Sequence, residues 1–223
     1  MENEELKMDK KNSVIFLLSM LVIICIWIFT YAIWDFTGKR LSHRVLTKIL
    51  EFSTFIISIC YVRINKIKRD DMGLNTTNIT NVIIKNIIFS ALFIVILALI
   101  KFILINTSFN FFNTNKPFWN WNVMSWSRWI YPITVFMQQF LIHGVVHESL
   151  NKILEGKNKT FVVIIIAALY FGAIHIHKGL GYMLGACAMC IVLCMVYRKQ
   201  RTIWGISISH YLLGMAAKFL GYI

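Results

Sequence analysis

Amides and imidazoles set inside hydrophobic runs are where this sequence could do chemistry. Gln138, Gln139, His143, His147 and Glu148 share one such run, His175 and His177 close a second, and His210 lies in a third. Five of the chain's six histidines fall in this C-terminal part, so the concentration itself is a signal. A neutral imidazole offers one donor and one acceptor and titrates near neutral pH, which suits proton transfer, oxyanion stabilisation or metal ligation. Buried separately among apolar side chains, each imidazole needs its own partner; gathered round one wet cavity, they serve one another. Convergence of the three runs on a common pocket is therefore expected.

Spacing limits which groups meet. At about 100° per residue, an α-helix puts Gln139, His143 and His147 on one face. Glu148, nine residues beyond Gln139, falls on roughly the opposite face and about 13 Å along the axis, so it cannot replace a group at position 139. His175 and His177 diverge by about 160° on a helix, so at most one of them faces a given site. The pocket is thus expected to lack a proton-accepting carboxylate. Glu51, in an earlier apolar run beside Lys48, reads as half of a neutralised pair at the headgroups.

The elements that must position these groups are transmembrane helices. Hydrophobic residues make up 58% of the 223 and charged residues only 15%, with a mean hydropathy of +0.66. A chain so composed lacks the polar surface of a soluble protein. About 20 apolar residues cross a bilayer as a helix, whose backbone is satisfied internally. Seven runs qualify: residues 14–34, 46–62, 82–105, 129–150, 161–176, 180–197 and 203–223. The fold class is all-α, a polytopic integral membrane bundle of about seven transmembrane helices. Residues 1–13 form a cytoplasmic tail, 14–130 the N-terminal helices with a tryptophan-rich interfacial loop, and 131–223 the core that carries the polar motifs. Lys85 and Lys101 lie near enough to the ends of the third run to snorkel. Residues 106–128, with Trp119, Trp121 and Trp126 around Pro117, read as a membrane-surface belt.

The net charge of +13 does not point to nucleic acid, because the cations are dispersed over short loops. Arg63, Lys66, Lys68 and Arg69, then Lys152, Lys157 and Lys159, then Arg198, Lys199 and Arg201 fall on one side if the spans alternate. This is the positive-inside pattern, with a cytoplasmic N-terminus and lipid as the partner of the charge. Lys39, Arg40 and Arg44 fall on the other side. The five cysteines lie within apolar runs. Cys187, Cys190 and Cys194 share a helical face that could suggest a metal, but no histidine shares their helix, and packing is the preferred reading.

Three segments together resemble the CPBP family (CAAX proteases and bacteriocin-processing proteins). They are Gln138-Gln139-Phe140-Leu141-Ile142-His143-Gly144, Phe171-Gly172-Ala173-Ile174-His175, and Trp204-Gly205-Ile206-Ser207-Ile208-Ser209-His210. The family's motifs are Glu-Glu-x-x-x-Arg, Phe-x-x-x-His and His-x-x-x-Asn, in this order on successive helices. The resemblance covers roughly residue 131 to the C-terminus. It implies an intramembrane endopeptidase in which a glutamate activates water, histidines assist, and an asparagine-like donor holds the oxyanion. Phe171, His175 and His210 match; Gln138 and Gln139 stand for the glutamate pair, His143 for the arginine and Gly214 for the asparagine. Some members are similar in having Gln-Glu at the pair, a His-x-His second motif and glycine at the last position, so the departures narrow to Gln139 and His143.

Three functions follow. A degenerate member binds a membrane peptide, lipidated substrate or partner protein without cutting it, because glutamine keeps the shape of glutamate but cannot take the proton. Alternatively, the chain is an active peptidase with a histidine as base, or carries an engineered glutamate-to-glutamine change. From a different class comes a metal or haem site on His143, His147, His175, His177 and His210. The first reading is preferred, with Gln138, Gln139, His143, His175 and His210 as the motif positions and with no cofactor and no metal expected.

Overall fold

Because lipid offers no hydrogen bonds, each apolar run must close its own backbone ladder, and the computed structural model of this chain does so throughout. It describes residues 2–36, 43–107, 118–120 and 127–222, and among these there is no strand. The helices are α1 (Glu2–Phe36), α2 (His43–Ile64), α3 (Ile79–Ile105), α4 (Ser127–Gln139), α5 (Glu148–Ile153), α6 (Lys159–Ala173), α7 (Leu180–Gln200) and α8 (Ile203–Phe219). A π-helical stretch, Phe140–His147, joins α4 to α5 without a break, and a 3-10 turn, Ile176–Lys178, follows α6. Each of the seven expected runs is helical. Five helical stretches are long and apolar enough to cross a membrane: residues 7–33, 45–64, 79–105, 129–153 and 180–200. α6 and α8, with 15 and 17 residues, are shorter. Most of the segment 106–128, including Trp121, Trp126 and Pro117, and the cations Lys39 and Arg40 lie outside the described residues.

The basic segments meet at one end of the bundle. Lys10 of α1 pairs with Glu155 at 2.5 Å, Lys152 with Asp9 at 3.4 Å, and Asn12 with Asn65 at 2.7 Å. The Ile203 N–H donates to the Gly73 carbonyl at 2.8 Å, which ties the start of α8 to the α2–α3 loop. The hydrogen bond and charge of Lys10 hold the Glu155 carboxyl below the usual carboxylate range. Being exposed, such pairs record proximity more than stability. At the opposite end, the Tyr31 hydroxyl donates to the His177 carbonyl at 3.1 Å, and Lys101 to the Gly221 carbonyl at 3.5 Å. Lys101 does not snorkel; it is 1% exposed, turned inward over the Tyr222 ring.

Lipid is as apolar as leucine, so burial of hydrophobic area does not hold such helices together; close packing and internal hydrogen bonds do. α3 leaves Leu92, Val95, Leu99 and Phe102 exposed and packs its one polar stripe, through Asn86 and Ser90, against α8. There Asn86 donates to Gln200 at 2.7 Å and accepts from Ser209 at 2.9 Å. Gly205 is what lets the backbones approach. A Cβ there would strike the Asn86 amide and sit 2.6 Å from Val82 Cγ1 and 2.8 Å from Gln200 Oε1. Gly205→Ala should therefore destabilise the protein by about 1–3 kcal/mol, the usual cost of overpacking, read as a lower thermal midpoint in detergent. An unchanged midpoint would show that α3 and α8 separate freely. Elsewhere Tyr61 links three helices, sharing a hydrogen bond with Ser13 at 2.7 Å and accepting from Ser149 at 3.2 Å.

Candidate functional site

The Phe-x-x-x-His segment ends α6, and its geometry follows from that ending. His175 follows the last turn, and its Nδ1–H donates to the Phe171 carbonyl at 2.7 Å, a carbonyl the terminating helix leaves free. The donation leaves Nε2 with the lone pair. His210, mid-way along α8, receives at Nδ1 a hydrogen bond from Gln139 Nε2 at 2.6 Å, which leaves its Nε2 carrying the proton. The Phe171 ring lies 4.6 Å from the His175 ring and 5.4 Å from that of His210. One imidazole acceptor and one imidazole donor are therefore held by the same aromatic ring.

Both histidines line a cavity of about 500 Å³ between α1, α2, the α4–π segment and α8, toward the end opposite the basic loops. Its deeper wall is apolar, with Met20, Ile24, Leu50, Leu141, Ile142 and Val146. Its polar wall includes Lys48, Glu51, Thr134, Gln138 and Tyr131. Gln138 takes part through Glu51, donating Nε2–H to Oε1 at 3.0 Å. Lys48 donates to Glu51 at 2.5 Å and to Thr134 at 3.0 Å.

Glu51 corrects the expectation of a pocket without a carboxylate. The Lys48–Glu51 pair exists, yet the Glu51 side chain is only 13% exposed and lines the cavity rather than the headgroups. The α2 helix enters the bundle next to α4, which brings position 51 opposite Gln138. The sequence carried a signal for it, since an ionisable group inside an apolar span reads as functional by default, but a lysine three residues away masked that signal.

His143 and His147 are not part of this cavity. Residues 140–147 are π-helical, and the wider turn removes the face shared with Gln139 that α-helical spacing predicts. His143 instead packs its ring 5.4 Å from Tyr197, with Nε2 3.4 Å from Cys194 Sγ. His147 lies 5.4 Å from the same tyrosine. The five histidines consequently do not form one ligand set. His177, in contrast, joins His175 at the cavity, the rings 6.4 Å apart and nearly parallel. The helix ends at Ala173, so the 160° divergence of an intact helix does not apply.

Gly214, at the position that the resemblance gives to the family's asparagine, lies under the tip of Tyr131. A Cβ on Gly214 would overlap the Tyr131 hydroxyl and lie 3.0 Å from Tyr131 Cζ. Tyr131 thus fills the space next to His210, its ring 6.4 Å from that imidazole, and puts a phenolic O–H on the cavity wall.

Residues 118–216 match the model of a family described as Rce1-like, type II CAAX prenyl endopeptidase Rce1-like. The match covers a little under half of the chain and contains Gln139, His175 and His210, whereas Glu51 and the cavity residues of α1 lie outside it. No curated protein and no solved structure matches the chain.

Proposed function

We propose that this membrane protein, whose residues 118–216 match the Rce1-like CAAX prenyl endopeptidase family model, binds a membrane peptide or lipid-modified peptide in this cavity without hydrolysing it. The observation that carries the reading is the 2.6 Å contact between Gln139 Nε2 and His210 Nδ1. An amide occupies the place where the family's mechanism needs a carboxylate. In either amide orientation it has no basicity with which to take a proton from water. The two imidazoles supply what an amide ligand wants: an acceptor on His175 for a peptide N–H and a donor on His210 for a carbonyl. The apolar wall, with Leu50, Leu141 and Ile142, suits an isoprenoid chain or a large aliphatic side chain. The positive-inside rule puts the basic end, and with it the N-terminus, in the cytoplasm, so the cavity opens toward the other face.

A second reading is hydrolytic, and Glu51 favours it, because a carboxylate lines the same cavity as both histidines. Against it, both carboxylate oxygens of Glu51 are already engaged, Oε2 by Lys48 and Oε1 by Gln138. The test is to incubate the full chain in nanodiscs with a fluorescent farnesylated peptide and with its unmodified form, following anisotropy and product mass. Expected is saturable binding of the farnesylated peptide, recovered at its original mass. Met137 also lines the cavity, and Met137→Trp, which fills it, should weaken binding at least about tenfold, a loss of roughly 1.4 kcal/mol. No binding overturns the proposal. Fragments that disappear with Glu51→Gln overturn it in favour of the hydrolytic reading.

A further inference from the structure

The cavity leaves two buried imidazoles unused, and they lie beside two buried thiols. His143, from the π-helical stretch, and Cys190 and Cys194, from α7, bring one ligand atom each to within 4.8 Å of one another. All three are buried, at 0%, 1% and 0% exposure, and none lines the cavity described above. The histidine that the cysteine helix lacks is supplied by another helix, which sequence spacing could not reveal. We infer that His143, Cys190 and Cys194 form a zinc(II) site, with His147, outside that 4.8 Å group but against the same Tyr197 ring as His143, turning in as the fourth ligand.

Four observations support the site beyond the cluster itself. First, the 3.4 Å separation of His143 Nε2 and Cys194 Sγ suits two ligands of one ion. Zn–N and Zn–S bonds of about 2.0 and 2.3 Å in a tetrahedral shell put neighbouring ligand atoms roughly 3.5–3.8 Å apart. Second, His147 Nε2 is buried without a partner, which is costly unless something else occupies the space. Third, His147 is oriented as a metal ligand would be. Glu148 Oε1 lies 3.2 Å and the Asn151 side-chain amide 3.1 Å from His147 Nδ1, and Glu148 is itself gripped by Arg201 at 2.7 Å. In the tautomer that donates Nδ1–H to the carboxylate, Nε2 keeps its lone pair, the carboxylate–histidine–metal arrangement. Fourth, charge favours zinc(II) over copper(I) here. Two thiolates and two neutral imidazoles around a divalent ion sum to zero, the arrangement least penalised by low-dielectric surroundings.

Binding transfers the two thiol protons to solvent and changes no oxidation state. The cluster lies in the half of α7 that leads to Arg198, Lys199 and Arg201, toward the basic end of the bundle. It braces the π-helical stretch against α7, two elements that also flank α6, the helix that His175 follows. The inference does not depend on the peptide-binding proposal.

The test uses the full chain, purified in detergent under reducing conditions, stripped with chelator and reloaded with zinc(II) or cobalt(II). Expected is about one zinc per chain by elemental analysis, and thiolate-to-cobalt charge-transfer absorption in the cobalt form. The Cys190→Ala/Cys194→Ala double variant should retain none, while Cys187→Ala, on the same helix, retains it all. Glu148→Gln should lower zinc affinity by about 10- to 100-fold, as loss of an outer-shell partner does. The cobalt spectrum of the unaltered chain stands whether or not the double variant folds. A spectrum without thiolate bands, zinc binding equal in the double variant, or retention of copper(I) in preference to zinc(II) each overturns the assignment.

Discussion

Gln139→Glu is expected to raise cleavage of farnesylated membrane peptides by about 10²–10⁴-fold over the unaltered chain, the contribution typical of a positioned general base. The geometry for this is in place. Gln139 is fully buried and its amide already sits 2.6 Å from His210 Nδ1. Glutamate is isosteric, so the carboxylate enters without repacking and accepts from the imidazole where the amide now donates. The family's arginine position need not be restored, because His143 points to Cys194 and Tyr197 rather than to the cavity. An arginine there would be a buried charge with no partner. Mass spectrometry of peptides reconstituted with the variant reads the outcome. The gained activity should vanish on adding His210→Ala or His175→Ala. If Gln139→Glu leaves the peptide intact while the protein stays folded and still binds it, then position 139 is not where a base acts in this cavity.

The second large effect is steric. Gly214→Asn, the change toward the family's third motif, should destabilise the protein by about 1–3 kcal/mol, read as a lower thermal midpoint and a smaller monodisperse peak in detergent. Its Cβ would overlap the Tyr131 hydroxyl, with the ring carbon only 3.0 Å away, and the aromatic ring is wedged between His210 and Tyr211. Overpacking costs about 1–3 kcal/mol, a large fraction of a marginal fold's stability of about 5–15 kcal/mol. Adding Tyr131→Ala opens the space, so the double variant should regain a monodisperse profile in size-exclusion chromatography. Recovery by this route separates the clash from a general intolerance of polarity in α8. Equal loss in both variants would mean that Tyr131 is not what excludes a side chain at position 214. Tyr131 thus explains a departure from the motif that looks, in the sequence alone, like a missing catalytic donor.

Much of the architecture was legible because lipid leaves the backbone so few choices. Uninterrupted apolar runs of about 20 residues must be helices, and composition and order alone place seven of them with boundaries near those observed. The order of Gln138-Gln139, Phe171, His175 and His210 likewise carried the family resemblance. Which residues share a cavity was a different matter. A π-helical stretch is one turn widened by tertiary packing, with no dependable mark in Phe140–His147, and it is enough to send His143 away from Gln139. Glu51 belongs to the cavity because α2 packs beside α4, a neighbour relation that spans 87 residues of sequence. The cysteines of α7 gain a histidine for the same reason, across 51 residues. Periodicity fixes which side chains share a face of one helix; only the packing of helices against each other decides what each face meets, because that choice depends on shape and hydrogen bonds summed over the whole bundle.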